Sequence, residues 1–279
     1  MKITSKLVGA IAPVIVAIVT ILLILSDPPD TVYGNQLLTT ILAIIFIGAN
    51  YFLVAYIAGR SYTRTGSLSF LLLGSSLVIA GCASVLTYTV STAPNFTSTV
   101  FNLGFFSAAI FSIIAAITSY YGNSRENVLS VRKWVGIPII VYTTLALLSV
   151  AIALSALRGS TPMFVEQSAS STALRQTVVG LSILLFGASS VISLRMYTES
   201  RSDILFWYSG GLAMLAVSFL PTFFLNVTAG TELSWIGRIA KYLSGIYFLV
   251  IVLSSTRKQP RIENDAEKMK EIETRQHQK

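Results

Sequence analysis

The sequence is short of most of what soluble enzymes use for chemistry. It holds one cysteine, Cys82, and one histidine, His277, which lies in a polar tail. An internal disulfide is therefore excluded, and no His/Cys cluster exists to bind zinc or haem, so no cofactor and no metal is expected. Charge is scarce as well: 11% of the 279 residues are charged and 53% are hydrophobic, with a mean hydropathy of +0.72. Soluble domains run near a quarter charged. The twelve acidic residues fall outside every long apolar block, which argues against a carboxylate proton relay or a sodium site. The same absence removes the counter-ion that a lysine-bound retinal would need, so that reading of Lys241 is set aside.

What is present is apolar sequence in blocks about 20 residues long, enough to cross roughly 30 Å of hydrocarbon. The blocks are continuous and do not alternate, so they read as helices and not as barrel strands. Eight spans are predicted: 7–26, 36–59, 68–90, 100–121, 135–157, 177–197, 204–225 and 236–255. The first has Lys2 and Lys6 before it, as a signal peptide would. Its apolar core is longer than a signal peptide's, and SDPPD offers no cleavage site, so it is expected to remain as a span. The fold class is thus an all-α polytopic bundle over residues 1–255, followed by a charged tail over 256–279.

Orientation follows from the basic residues of the short loops. With the amino terminus inside, twelve loop cations, among them Arg60, Arg64, Arg132, Lys133, Arg195 and Arg201, face the cytoplasm, against two outside, Arg158 and Arg175. The net charge of +8 is then mainly a topology signal facing anionic lipid, and no nucleic-acid partner is implied. Sequons at Asn95 and Asn226 both fall in outside loops. The expectation is a plasma-membrane protein with both termini cytoplasmic. Its longest outside loop, Arg158 to Gln176, is too short to fold as a ligand-binding domain.

Two inner loops look alike. Gly48-Ala49 precedes Arg60-Ser-Tyr-Thr-Arg64 and Gly74; Gly187-Ala188 precedes Arg195-Met-Tyr-Thr and Gly211. A repeat displaced by four spans would be parallel and would divide the bundle into two four-helix halves. Selection of arginine and tyrosine at a membrane interface would produce part of the same pattern.

Within the spans, most polar and small residues read as packing. Gly74, Ser75-Ser76, Gly81, Cys82 and Gly210-Gly211 suggest close helix contacts. Pro138 and Pro221 suggest kinks. Tyr120-Tyr121, Trp134, Trp207-Tyr208 and Trp235 suggest aromatic belts. Asn50, Thr87 and Asn102 suggest hydrogen bonds between helices. The exception is WIGRIAKYLSG, Trp235–Gly245, where Arg238 and Lys241 stand three residues apart on one helical side, near Tyr242. Two readings stay open. Both cations snorkel to the outer interface, or Arg238, Lys241 and Tyr242 form a site for an anionic group at the outer mouth.

In the tail, Ile262, Ala266, Met269 and Ile272 fall near one stripe, a short heptad-like pattern. SLSFLLLGSSLVIAG (Ser67–Gly81) and WIGRIAKYLSGIYFLVI (Trp235–Ile251) resemble the membrane-associated sensor (MASE-type) domains of prokaryotic signalling proteins. Where such modules carry an acidic residue and a histidine in an early span, this chain has AGCASVLTY. The resemblance implies a non-enzymatic transmembrane sensor that relays a signal through its last helix. No kinase, PAS or cyclase sequence precedes Lys279, so the expected partner is a separate cytoplasmic signalling protein reached through the tail. A homodimer is a further option. The alternatives are a permease or lipid-handling protein for a neutral or anionic small molecule, and a structural subunit of a membrane complex.

Overall fold

The computed structural model describes residues 3–26, 36–90, 93–122, 136–165, 172–224, 231, 234–251 and 253. The tail, Trp134, His277 and the Asn226 sequon lie outside them. The described chain is helical: α1 (Ile3–Ser26), α2 (Gln36–Ala43) running through a π-helical segment (Ile44–Ala49) into α3 (Asn50–Thr65), α4 (Leu68–Thr89), α5 (Pro94–Gly122), α6 (Gly136–Leu157), α7 (Ala173–Ser200), α8 (Asp203–Ser218), α9 (Leu220–Phe224) and α10 (residues 234–251). Seven helical stretches are long and apolar enough to cross a membrane, with α2 to α3 counted as one and α8 to α9 as one. The protein is a multi-pass helical membrane bundle. The eighth expected span is α10.

Several helices extend past the apolar blocks that announce them, because polar residues can continue a helix beyond hydrocarbon. Helix α3 carries Arg60 to Thr65 before Gly66 ends it in the left-handed conformation, φ 74°. Helix α7 begins earlier than hydropathy suggests because the Thr172 hydroxyl caps it, accepting from Arg175 N at 3.2 Å. Pro221 breaks its span: α8 stops at Ser218, and Phe219 N turns back to Ala216 O. Pro138 makes no such break. It sits in the first turn of α6, where the missing N–H costs no helical bond.

The two inner turns are built alike. Gly66 N donates to Tyr62 O, and Arg201 N donates to Tyr197 O. Thr63 and Thr198 donate to the carbonyls of Arg60 and Arg195, while Thr65 and Ser200 donate to Ser61 and Met196. Ser67 and Ser202 start the next helices with φ,ψ of −74°,117° and −74°,118°. Each pair is 135 residues apart. The same offset carries α1 onto α6, α2 and α3 onto α7, α4 onto α8 and α9, and α5 onto α10. The chain is therefore two parallel halves of four spans. The glycine pairs that suggested the repeat do not obey this register: Gly74 falls on Ser209 and Gly211 on Ser76.

Corresponding packing recurs across the halves. Helix α1 docks on α8 of the second half through Gly9, whose Cα faces the Trp207 ring, and α6 docks on α4 of the first through Tyr142 against Gly74. Within each half α5 packs on α4, with Gly104 against Ala83, and α10 packs on α8, with Gly210 and Gly211 against Tyr247 and Phe248. The small residues let backbones approach where lipid offers no hydrophobic drive for helices to associate. Ser76 adds a bond across the α4–α5 seam to Ala108 O at 2.8 Å and shares one with Ser112 at 2.7 Å. Trp207 and Tyr208 are buried in this packing, at 8% and 5% exposure, so they belong to the core and not to an interfacial belt.

Candidate functional site

The last helix threads the middle of the bundle. Tyr247 donates to Gly9 O of α1, Ser244 shares a 2.6 Å hydrogen bond with Tyr51 of α3, and Gly245 lies directly against the Phe46 carbonyl of the π-helical segment. Only glycine fits there, since a Cβ would overlap that oxygen. Asn50 Nδ2 donates to the same carbonyl at 3.1 Å. A π-helical turn of this kind recurs at functional sites.

The three expected site residues divide between two surroundings. Arg238 and Tyr242 face α2 and the π segment. Arg238 Nη1 donates to Thr39 Oγ1 at 3.1 Å, its guanidinium lies 5.1 Å from the Trp235 ring centre, and the Tyr242 ring lies 5.9 Å from that of Phe46. Lys241 points the other way, into the core. It is 8% exposed, and its Nζ lies 4.0 Å from the Phe101 ring centre and 5.4 Å from that of Phe219. A snorkelling lysine would carry its ammonium to the interface; this one does not. Placing a charge in such surroundings costs several kcal/mol after relaxation. A desolvated cation–π contact returns about 2 kcal/mol. The aromatic cage offsets part of the cost, and among the described residues no carboxylate lies within ion-pair distance of Lys241.

Of the other polar residues expected to bridge helices, Asn50 and Asn102 bond within their own helices, Asn102 Nδ2 to Ser98 Oγ at 3.0 Å, and Thr87 Oγ1 has no partner. Asn95, of the first sequon, uses its Oδ1 to accept from Phe164 N at 2.9 Å, holding the loop before α7 against the end of α5. Cys82, within α4, is a free, half-buried thiol packed against the hydrophobic core.

At the Gly66/Arg201 end of the bundle, where the two turns lie, a cavity of about 360 Å³ opens between the halves. That is within the range of small-molecule sites. Its walls pair off by the repeat: Ala58 with Ser193, Ser67 with Ser202, Phe70 with Leu205, Leu73 with Tyr208, and Ala116 with Ile251. The cavity thus lies on the pseudo-two-fold axis relating the halves. Its lining is apolar with serine hydroxyls at Ser61, Ser69, Ser119 and Ser200 added to those above, and among the described residues it includes no charged side chain. Such walls suit a ligand with an apolar body and a few hydrogen-bonding groups. The sequence pointed to none of these residues individually. Their only signal was the repeated loop, in which Ser67 and Ser202 stand at matching places.

Comparison of the chain with protein-family models, with curated proteins and with solved structures finds no match. The class of the protein, a two-half polytopic membrane bundle, rests on its own fold.

Proposed function

We propose that this chain is a non-catalytic plasma-membrane carrier for a small, largely apolar solute, bound in the cavity between its two halves. The observation that carries the reading is the coincidence of that cavity with the repeat axis. Transport proteins built from parallel repeats place their substrate between the repeats, because rocking of one half against the other then exposes the site to alternate faces. The excess of cations in the loops at the cavity end supports a cytoplasmic cavity with both termini on that side.

Site-directed cysteine accessibility tests it. In a Cys82→Ser background, a cysteine at Ser193 should react with a membrane-impermeant maleimide from the cavity side. One at Phe219 should react from the opposite side, and modification of either should suppress the other. A Phe219→Cys protein that never reacts from its own side would remove the carrier reading.

A second reading has its own support. Helix α10 touches α1, α2, α3, α5 and α8 and leads into the charged tail, which suits a sensor module passing bundle rearrangements to a cytoplasmic signalling protein, as a monomer or a homodimer. On that reading, deletion of residues 269–279 abolishes output. A carrier keeps its uptake after the same deletion.

A further inference from the structure

The cavity explains one end of the axis; the other end holds Lys241. Ile251, in the cavity wall, lies ten residues further along α10, about 15 Å at the helical rise. Phe101 belongs to α5, the counterpart of α10 in the first half, so the ammonium sits where the two halves meet. The repeat shows that the fold does not require a cation there: the residue equivalent to Lys241 is Phe106, and the equivalent of Phe219 is Ser84. The same layer of the bundle, set by the contact of Ala83 with Gly104, contains three buried hydroxyls without a hydrogen-bond partner, Ser84, Thr87 and Thr99. Most other buried serines in this bundle donate to a carbonyl a turn back, as Ser75 and Ser182 do. These hydroxyls and the unpartnered Asn102 Oδ1 leave hydrogen-bonding capacity unmet in the same half of the bundle as the ammonium, away from the cavity.

We infer that Lys241 is the anion-selecting group on the axis, pairing with the carboxylate of a small organic acid whose apolar body lies against Phe101 and Phe219. This rests on the reading of the axis as the solute path, and it narrows that solute from neutral or anionic to anionic. The aromatic faces hold the ammonium when no anion is bound. A cationic solute is repelled at the same point.

The test is equilibrium binding of radiolabelled benzoate to the full chain in nanodiscs of zwitterionic lipid. Benzamide and benzylamine serve as neutral and cationic competitors of the same shape. Benzoate is expected to bind about tenfold or more tightly than benzamide, the worth of one charge-assisted hydrogen bond, and benzylamine is expected not to compete. Lys241→Met should bring benzoate down to the benzamide level, while Lys241→Arg, which keeps the positive charge on a bulkier fork, should still bind benzoate more tightly than benzamide. Equal affinity for benzoate and benzamide in the parent chain, no benzoate binding at all, or a Lys241→Met protein that binds benzoate unchanged would each overturn the inference. Ser193→Phe separates the cavity from the charge. In that variant the preference for benzoate over benzamide should persist, because the charge lies about 15 Å from the cavity, and loss of the preference there would overturn the inference. Failure of the cysteine-accessibility test removes the carrier reading independently of Lys241→Met. A melting curve for each variant shows that it is folded.

Discussion

The carbonyls of Tyr62 and Tyr197 accept the same closing hydrogen bond in the two halves, one from Gly66 and the other from Arg201. The donor in each turn is a residue in the left-handed region, with φ 74° at Gly66 and 53° at Arg201. Glycine adopts that conformation freely, whereas an arginine is held there against its steric preference by about 1 kcal/mol.

Arg201→Gly should therefore stabilise the protein by about 0.5–1 kcal/mol, less whatever the freer unfolded chain takes back, and Gly66→Ala should destabilise it by about 1 kcal/mol. Opposite shifts of the thermal midpoint in detergent for this pair are the check. Shifts of one sign would mean that the two turns are not equivalent.

The seam between α10 and the π-helical segment admits no side chain at residue 245, because the obstacle is the Phe46 backbone oxygen. Gly245→Ala should cost about 1–3 kcal/mol, as overpacking of a rigid contact does. Gly81→Ala is the control. There the nearest atom is the Phe52 ring at 3.2 Å, a side chain that can turn aside, and the loss should be well under half as large.

Tyr51 and Ser244 join α3 to α10, one from each half. Tyr51→Phe keeps the ring against Phe248, at 5.4 Å, and removes only the hydroxyl. Hydrogen bonds between membrane helices are worth about 0.6 kcal/mol on average and rarely more than about 1.7. A loss within that range by chemical or thermal unfolding is expected. A loss several times larger would mean that the hydroxyl orders more than its one partner.

Lys241→Met should raise stability by about 1–3 kcal/mol, since it exchanges a charge without a counter-ion for an apolar chain of similar length. The same variant should lose anion binding. Stabilisation joined to loss of function would identify Lys241 as a residue kept for its chemistry and not for the fold. By contrast, Glu199→Gln should change the midpoint by less than about 0.5 kcal/mol, because the Arg195–Glu199 pair, 3.8 Å apart, is exposed on both sides.

The sequence was informative wherever one free energy dominates locally. Transfer of apolar side chains into lipid marks each span along the chain, and the small residues Gly74, Ser76, Gly210 and Gly211 mark close contacts because larger residues would hold the helices apart. The Arg-x-Tyr-Thr loops were visible as a repeat because their hydrogen bonds are local, closing within five residues. Trp207 and Tyr208 were misplaced because an aromatic residue near a helix start has the same composition at an interface and in a core. Pro138 was misplaced for a related reason: its effect depends on whether it stands in the first turn or the third, and hydropathy places helix starts only coarsely.

By itself, then, the amino-acid order determined an all-helical membrane bundle, its approximate spans, and Lys241 as an unusual charge, because burial in hydrocarbon acts on each residue separately. Only the tertiary structure decided that Arg238 and Lys241 face different neighbours, that the 135-residue register relates the halves, and that a serine-lined cavity lies between them. Those properties depend on the rotation and depth at which whole helices pack, which are set by contacts between residues far apart in the chain.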